Sequence, residues 1–374
     1  MEIKIDRNEL FKAVSRVQSI IEKKSNMPVL STILFTTLGA DEGIRISATD
    51  LELGFQEEVA AQVVQEGSVT ISGRKLFEIL KESKADQFHI SEKENNRVVV
   101  SDGVARFDLA CIAADEFPTF MEPEDVQTVS IEGETLCEMI NKTIYAVTLE
   151  EAGFKLSGVY TERLTDEKGD YFLRMVATDG HRLSLIDKSF PGLEKLDLNN
   201  GVLIPKKGMS ELNKMGAEGG TVELGFKEKR CIARRDKTLL VMRLLETKFP
   251  DYEAVIPKEV NSSVQLSRIS LLEGMRKMLI LSNERYRAVR VTLESNLLDL
   301  VSTNPELGEA EEKMTIEYDG ERIEAGFNPK YFIDVLQSME SELVSLDFSD
   351  SSKPCILRGE LDKGFTGLIM PMRV

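Results

Sequence analysis

One short motif recurs three times along the chain, and it constrains the fold more than any other feature of the sequence. Its versions are Ala-Thr-Asp-Leu-Glu-Leu at 48–53, Ala-Thr-Asp-Gly-His-Arg-Leu at 177–183 and Ser-Thr-Asn-Pro-Glu-Leu at 302–307. The threonines at 49, 178 and 303 are about 129 and 125 residues apart, which is too long for a solenoid repeat and close to the size of a whole domain. The repeat therefore predicts three tandem copies of one domain.

Two further landmarks recur in the same order. Each copy opens with a short alternating segment followed by apolar residues at helical spacing, at residues 3–21, 129–147 and 263–281. A second helical pattern follows within each copy, at residues 72–80, 204–212 and 327–336. We therefore predict domain boundaries at residues 1–125, 126–253 and 254–374.

Short strands separated by turn signals fill the space between the helices. The Asp102-Gly103 pair, for example, follows one alternating segment and precedes another, as is typical of a hairpin. Strands outnumber helices, which indicates an α+β fold with antiparallel sheets and two helices per copy on one face. The segments 116–120 and 248–252 contain proline and read as linkers, because proline cannot continue a central strand.

The composition sets limits on compartment and partners. The chain has 47 Lys and Arg against 64 Asp and Glu, a net charge of −17, and this acidity alone argues against nucleic acid. The four cysteines are far apart and the first 25 residues lack the apolar core of a signal peptide, so we expect reduced thiols in a cytoplasmic protein. No run of 18 apolar residues predicts a membrane span.

An enzyme is the first alternative. Asp179 and His181 invite a catalytic interpretation, since histidine is the usual acid–base group at neutral pH. The chain has only two histidines, no nucleophile elbow or phosphate-binding loop, and no cluster with metal-ligand spacing, so no cofactor or metal is expected. The first copy repeats Thr49-Asp50 without a histidine, which favours a turn held by the aspartate over a hydrolase centre.

The three copies, the string at 177–183 and the Leu-Ile-Met-Pro-Met-Arg-Val string at 368–374 resemble the bacterial sliding clamp family, the beta subunits of DNA polymerase III. The resemblance covers the whole chain and includes the helix pattern at 328–336. It implies a DNA-clamp fold with sheets outside and helices inside, in which two chains meet head to tail as a six-domain ring. It also implies a non-catalytic processivity factor that encircles duplex DNA without reading its sequence.

The resemblance implies a peptide pocket between the second and third domains. Partners would insert a short motif, a glutamine followed by hydrophobic residues, and they would include the replicative polymerase, the clamp loader, other polymerases and repair proteins. The matching positions are Leu156, Thr178, Gly180, His181, Arg182, Leu183, Pro250, Val255, Leu368, Ile369, Met370, Pro371, Met372 and Arg373, followed by Val374. Ala254 departs from the family, where Arg is frequent. For 368–374 a last sheet strand is the structural alternative.

Two more surfaces follow from the resemblance. At physiological salt only charges within about 8 Å of a phosphate matter much, so an acidic chain can still present cations to DNA from inner helices. We select Lys24, Arg74, Lys206 and Lys207 as DNA-facing, with Arg7, Lys142, Arg268 and Lys330 among the other cations of these segments. Ile280 and Leu281 would pack across the homodimer interface, with core burial as the alternative.

A third class of protein, a peptide-binding scaffold that never encircles DNA, also remains open.

Overall fold

The computed structural model of the chain describes residues 1–21, 26–39, 42–118, 123, 125–147, 156–198, 200–282 and 288–372. Two of the residues selected above, Lys24 and Arg373, lie outside these ranges, as does Val374. Within the ranges, no helix is both long and apolar enough to cross a membrane.

The described ranges contain two α-helices in each copy. They are α1 (Arg7–Val17), α2 (Gly73–Glu82), α3 (Gly133–Asn141), α4 (Lys206–Ala217), α5 (Arg268–Leu281) and α6 (Pro329–Ser338). Capping side chains fix several of their starts. The Asp6 carboxylate accepts hydrogen bonds from the backbone of Asn8 and Glu9, and the Asn328 side chain accepts one from the backbone of Lys330.

Strands occupy most of the remaining chain. In the first copy they are β1 (Glu2–Asp6), β2 (Thr32–Gly39), β3 (Gly43–Thr49), β4 (Leu53–Val59), β5 (Gln62–Gln65), β6 (Ser68–Ser72), β7 (Gln87–Lys93), β8 (Arg97–Ser101) and β9 (Arg106–Ala110). In the second copy they are β10 (Thr128–Glu132), β11 (Gly158–Thr165), β12 (Tyr171–Thr178), β13 (Arg182–Lys188), β14 (Val202–Pro205), β15 (Thr221–Lys227), β16 (Arg230–Arg235) and β17 (Thr238–Arg243). In the third copy they are β18 (Ser262–Ser267), β19 (Val289–Glu294), β20 (Leu297–Asn304), β21 (Gly308–Thr315), β22 (Ile323–Phe327), β23 (Leu343–Phe348), β24 (Cys355–Gly359) and β25 (Phe365–Ile369).

The chain divides into two compact units, each with two sheets. The first unit comprises residues 1–130 and 221–243, and the second comprises residues 131–220 and 244–374. Sheets in the first unit have the orders β5-β1-β7-β8-β9 and β10-β15-β16-β17-β4-β3-β2-β6. Those in the second unit have the orders β14-β11-β12-β13-β25-β24-β23-β18 and β21-β20-β19-β22. The predicted α+β fold with antiparallel sheets and two helices per copy is therefore confirmed.

Both eight-stranded sheets run from one copy into the next. In the first unit β4 pairs antiparallel with β17, and Leu53 lies opposite Met242. In the second unit β13 pairs antiparallel with β25, and Leu183 lies opposite Leu368. Each junction joins the strand that follows the recurrent motif to the last strand of the next copy.

The segment 248–252 is more than a linker. It lies outside the strands, as its proline predicts, but Phe249 and Tyr252 are buried in the core of the second unit. The four cysteines differ in their burial. Cys231 and Cys355 are buried, whereas Cys111 and Cys137 are half-buried, and all four are free thiols.

Candidate functional site

An apolar cluster in the second unit joins residues of the second and third copies. Its buried members are Leu156, Val176, Leu183, Leu185, Leu203, Phe249, Tyr252, Ile356 and Leu368. Strand alternation puts Leu183 and Leu185 on one face of β13. The pairing of β13 with β25 brings Leu368 beside them. The structure thus brings together three of the predicted site residues, Leu156, Leu183 and Leu368.

Aromatic rings that the sequence analysis missed line the same cluster. The Tyr160 and Phe249 rings stack with their centroids 4.8 Å apart, and the Tyr252 ring lies 6.2 Å from that of Phe249. The Tyr252 hydroxyl donates to Glu162 and accepts from Arg174. The recurrence of Phe-Pro in segments 116–120 and 248–252 was the available signal, because a repeated aromatic beside a proline is more than a linker needs.

Other predicted residues surround this buried cluster at or near the surface. Pro250 and Val255 are exposed, and so are Gly180 and His181 at the tip of the hairpin between β12 and β13. Ile369 is buried, whereas Met370, Pro371 and Met372 are half-buried. These exposed and half-buried residues form the rim of the apolar cluster.

The recurrent motif forms the hairpin tip as a turn held by side chains. The Thr178 hydroxyl donates to the carbonyl of Arg182 at 2.7 Å and accepts from the backbone of Gly180 at 3.1 Å. The Asp179 carboxylate accepts from the backbone of His181 at 3.0 Å and of Arg182 at 3.1 Å. Gly180 has a φ of 83°, the left-handed region that glycine adopts readily.

The first copy forms the same turn without a histidine. The Thr49 hydroxyl donates to the Leu53 carbonyl at 2.7 Å, and Asp50 accepts from the backbone of Glu52 and Leu53. In the third copy Asn304 accepts from two backbone groups in the same way. The prediction that the motif is a turn held by its aspartate is confirmed, so the pairing of Asp179 and His181 needs no catalytic explanation.

Arg182 is buried, with only 9% of its side chain exposed, and its guanidinium binds three groups. Nε donates to Asp179 at 3.0 Å, Nη1 donates to Asp334 on α6 at 2.6 Å, and Nη2 donates to the carbonyl of Tyr145 at 2.6 Å. The guanidinium also lies 4.7 Å from the centre of the Tyr331 ring. This geometry ties the hairpin to α6 and leaves little of Arg182 available to a ligand.

A second buried ion cluster lies near the end of α3. Lys142 Nζ binds Asp362 at 2.8 Å and Glu138 at 2.7 Å, and Lys188 binds the other oxygen of Glu138 at 2.6 Å. Burial opposes the charge of Asp362, but hydrogen bonds from Lys142 and Ser341 outweigh it and lower the pKa of Asp362 below its ordinary 3.8. Lys142, selected as an inner-helix cation, is therefore a structural residue.

The remaining candidate cations differ in their availability. Arg74 and Lys207 are exposed, and Arg74 pairs with Glu78 at 2.9 Å. Lys206 is half-buried, and burial together with the positive charge of Arg182 lowers the pKa of Lys206. Two others act as helix anchors, since Arg7 donates to the carbonyl of Leu80 and Arg268 to those of Leu336 and Ser341.

The end of α5 presents an apolar side chain to solvent. Ile280 is 75% exposed, while Leu281 is half-buried, so simple core burial does not account for Ile280. An isolated exposed isoleucine is common, but this one belongs to the pair that the resemblance assigns to a subunit interface. In the ranges that the structure covers, no group of three His, Cys, Asp or Glu side chains could hold a metal ion.

Comparison with known proteins covers the whole chain. The family described as DNA polymerase III beta subunit matches through its N-terminal domain at residues 1–121, its central domain at 130–251 and its C-terminal domain at 253–373. The chain is 32% identical over 376 residues to the beta sliding clamp of Pseudomonas putida, with 100% of both covered.

Solved structures of beta subunits resemble the whole chain as well. The chain has a TM-score of 0.92 and 29% identity to the Caulobacter crescentus pol III beta structure. Its TM-score is 0.91, with 31% identity, to a Pseudomonas aeruginosa sliding clamp bound to griselimycin. In both cases 100% of each chain is covered.

Proposed function

The chain belongs to the family of DNA polymerase III beta subunits, the non-catalytic sliding clamps of DNA replication, and from this premise we propose that two copies close head to tail into a ring around duplex DNA. The ring would consist of six domains, three from each chain, with boundaries at 1–125, 126–253 and 254–374. Its role would be to slide on DNA and tether the replicative polymerase.

The observation that carries the proposal is the repeated junction between copies. The strand after the motif pairs with the last strand of the next copy twice, as β4 with β17 and as β13 with β25. The equivalent strands that remain are β21 and β9. Within the described ranges β21 pairs with β20 alone and β9 with β8 alone. A second chain that joined its β9 to β21 would repeat the junction and, by symmetry, close the ring.

The equivalence of the copies also gives the register of this pairing. Thr178 lies opposite Leu183, and Thr303 lies opposite Glu309, so Glu309 in β21 is the equivalent of Leu183 in β13. The next residue in each strand, Ala310 in β21, is the equivalent of Ser184 in β13.

Residues that lie opposite one another across each sheet show which residue of β9 is equivalent to which residue of β25. The row in the first copy is Ile3, Ile90, Val100 and Phe107, and the row in the third copy is Val264, Leu346, Leu357 and Gly367. Ile3 and Val264 each lie four residues before a helix, so Phe107 is the equivalent of Gly367. Gly367 lies opposite Ser184, so we expect Phe107 opposite Ala310 and Arg106 opposite Glu311.

Charge and exposure support this interface. Arg106 and Glu311 are both exposed in the single chain, and opposite charges across a strand pair stabilise it by roughly 0.2–1 kcal/mol. Ile280, at the end of α5 in the same copy as β21, would bury its exposed surface there together with Leu281. Burying an isoleucine side chain contributes about 1.5–3 kcal/mol, so the two junctions of a ring gain it twice.

The second helix of each copy repeats a cation at one position. Arg74, Lys207 and Lys330 each occupy the second residue of their helix, and a closed ring would carry each of them twice. Non-specific contacts to phosphate fit a clamp, because topology holds the DNA and tight binding would slow sliding. Lys24 and Lys206 remain candidates for the same surface.

The apolar cluster and its rim form the proposed peptide site. Its occupant would be a glutamine followed by hydrophobic residues, carried by the polymerase, the clamp loader, other polymerases and repair proteins in the cytoplasm. The half-buried Met370 and Met372 support binding to several partners, since methionine adapts to different shapes. A relative bound to griselimycin is consistent with a ligand site on this fold.

Retention on circular DNA tests the ring. The protein is loaded onto nicked circles with a clamp loader and ATP, half of the sample is linearised, and both halves pass through a sizing column at high salt. We expect retention on circles and loss from linear DNA. Equal loss from both, with a loader that is active on another clamp, would leave the peptide-binding scaffold as the better account.

A further inference from the structure

We propose that Asp334, on α6 of the third copy, positions the peptide-binding hairpin of the second copy through Arg182. The inference rests on the proposed peptide site and assigns to it a residue from a helix of the third copy. It also changes the role of Arg182 from a direct ligand of the peptide to the link between hairpin and helix.

The hairpin tip is exposed, and its His181 ring stacks on Tyr331 of α6 with the centroids 6.3 Å apart. A Cβ on Gly180 would meet no atom within 4 Å, and the neighbouring His181 is exposed. One main-chain hydrogen bond holds the tip to the end of the last strand, from the Met370 amide to the His181 carbonyl at 2.9 Å. This bond lies beside the Arg182–Ile369 pair, where the pairing of β13 with β25 begins.

Arg182 supplies the second point of attachment. Its Nη1 atom lies 2.6 Å from Asp334, whose side chain is only 13% exposed. A planar guanidinium held at three nitrogens has a fixed orientation, and that orientation fixes the backbone at the start of β13. Leu183, the next residue, then points into the apolar cluster opposite Leu368.

Asp334 is itself held in place from the other side. The Lys330 ammonium, one turn earlier on α6, binds Oδ1 of Asp334, while Arg182 binds Oδ2. Lys330 is 44% exposed, so its pair with Asp334 is worth less than the buried one with Arg182. In the first copy the residue at the position of Arg182 is Leu53, which is uncharged and cannot form an ion pair with a carboxylate. The cationic anchor is therefore particular to the hairpin beside the apolar cluster.

The test compares Asp334→Asn with a matched control, Asp362→Asn. Both aspartates lie in the third copy and bind a buried cation of the second, but Asp362 binds Lys142 and not Arg182. The probe is a labelled peptide with a glutamine followed by hydrophobic residues. We expect D334N to weaken its binding about tenfold, because it removes the charge of one of the two carboxylates that hold the buried Arg182 guanidinium. D362N and Lys330→Ala should stay within about twofold of the wild type.

Amide hydrogen exchange gives a readout that general destabilisation would not reproduce. We expect D334N to speed exchange at Gly180, His181 and Arg182, whose amides bind Thr178 and Asp179, and D362N to leave them unchanged. Asp334→Glu, which keeps the charge, should restore most of the affinity.

Each other result has a definite meaning. Equal affinity and equal exchange in D334N and wild type would overturn the positioning role while leaving the peptide site intact. Equal losses of peptide affinity in D334N and D362N would show that the effect comes from a general loss of stability. A wild-type protein that does not bind the peptide would overturn the proposed site and this inference together.

Discussion

Leu51 and Gly180 occupy the same position in two equivalent turns, with φ angles of 76° and 83°. The turns share a threonine that donates to a carbonyl four residues on and an aspartate that accepts from two backbone groups. Glycine adopts this conformation without cost, whereas leucine is strained in it. The first copy therefore tolerates a strain that the second copy avoids.

Replacing Leu51 with glycine should stabilise the protein. The left-handed conformation costs a non-glycine residue roughly 1–2 kcal/mol, and the greater freedom of glycine in the unfolded chain cancels about half of that gain. We expect Leu51→Gly to raise the free energy of unfolding by about 0.5–1 kcal/mol in urea titrations. Gly180→Ala should lower it by about 1 kcal/mol, although a Cβ there meets no atom within 4 Å. A fall in stability for Leu51→Gly would mean that its exposed side chain makes a stabilising contact.

The dimer interface can be tested at Ile280. We expect Ile280→Asp to shift the protein to a monomer at micromolar concentration in sedimentation experiments, because a charge would replace a buried apolar side chain at both junctions. Leu361→Asp is the control, since Leu361 is 65% exposed and lies between β24 and β25, outside the proposed junction. An unchanged dimer in Ile280→Asp would place the interface elsewhere.

A charge exchange tests the proposed register of β9 against β21. Glu311→Arg should weaken the dimer because it would put two arginines opposite each other, and Arg106→Glu should weaken it by pairing two acids. The double variant should recover much of the lost affinity, about 0.5–1 kcal/mol in a double-mutant cycle. Additive effects would show that these two residues do not meet.

The rim of the apolar cluster can be tested at Val255. Val255 and Val260 are each 44% exposed, which makes Val260→Ala a matched control for Val255→Ala. We expect Val255→Ala to weaken a glutamine-containing hydrophobic peptide about threefold to tenfold through lost apolar contact, measured by fluorescence anisotropy. If both variants lose the same affinity, Val255 does not touch the peptide.

The acid sensitivity of the second unit should depend on Asp362. Hydrogen bonds hold the pKa of Asp362 below 3.8, so its contribution to stability is complete above that pH and is lost as the pH falls through the lower, folded-state pKa. We expect Asp362→Asn to lose about 2 kcal/mol of stability at pH 7, and the difference from wild type should shrink below about pH 3.8. Exposed Asp319 provides the control: we expect Asp319→Asn to leave the free energy of unfolding at pH 7 unchanged.

The repeat made most of the fold accessible from sequence. Three copies of one motif predicted the number of domains, and the periodicity located all six of the described helices. The ends were less accurate, since α4 continues to Ala217 instead of 212 and α3 ends at Asn141 instead of 147. The aspartate turn could also be inferred, because Asp50 repeats Asp179 without the histidine. Both features could be predicted from one sequence because they depend on residues that are close together along the chain.

The candidate site was harder to predict because its partners are distant in sequence. Arg182 meets Asp334 across 152 residues, and nothing local distinguishes a buried arginine from one that awaits a ligand. The sequence predicted Lys142 to be an inner-helix cation, but in the structure its ammonium binds the buried Asp362. The role of a charged side chain depends on burial, and burial is decided by the tertiary fold.

The pairing of β13 with β25 also has a consequence for synthesis. Leu183 finds its neighbour Leu368 only after about 180 further residues have been made, and contacts so far apart in sequence form late. A nascent chain that stops before β25 lacks Leu368, so the apolar cluster is still incomplete at that stage. The proposed peptide site would therefore form only when translation of the third copy is nearly finished.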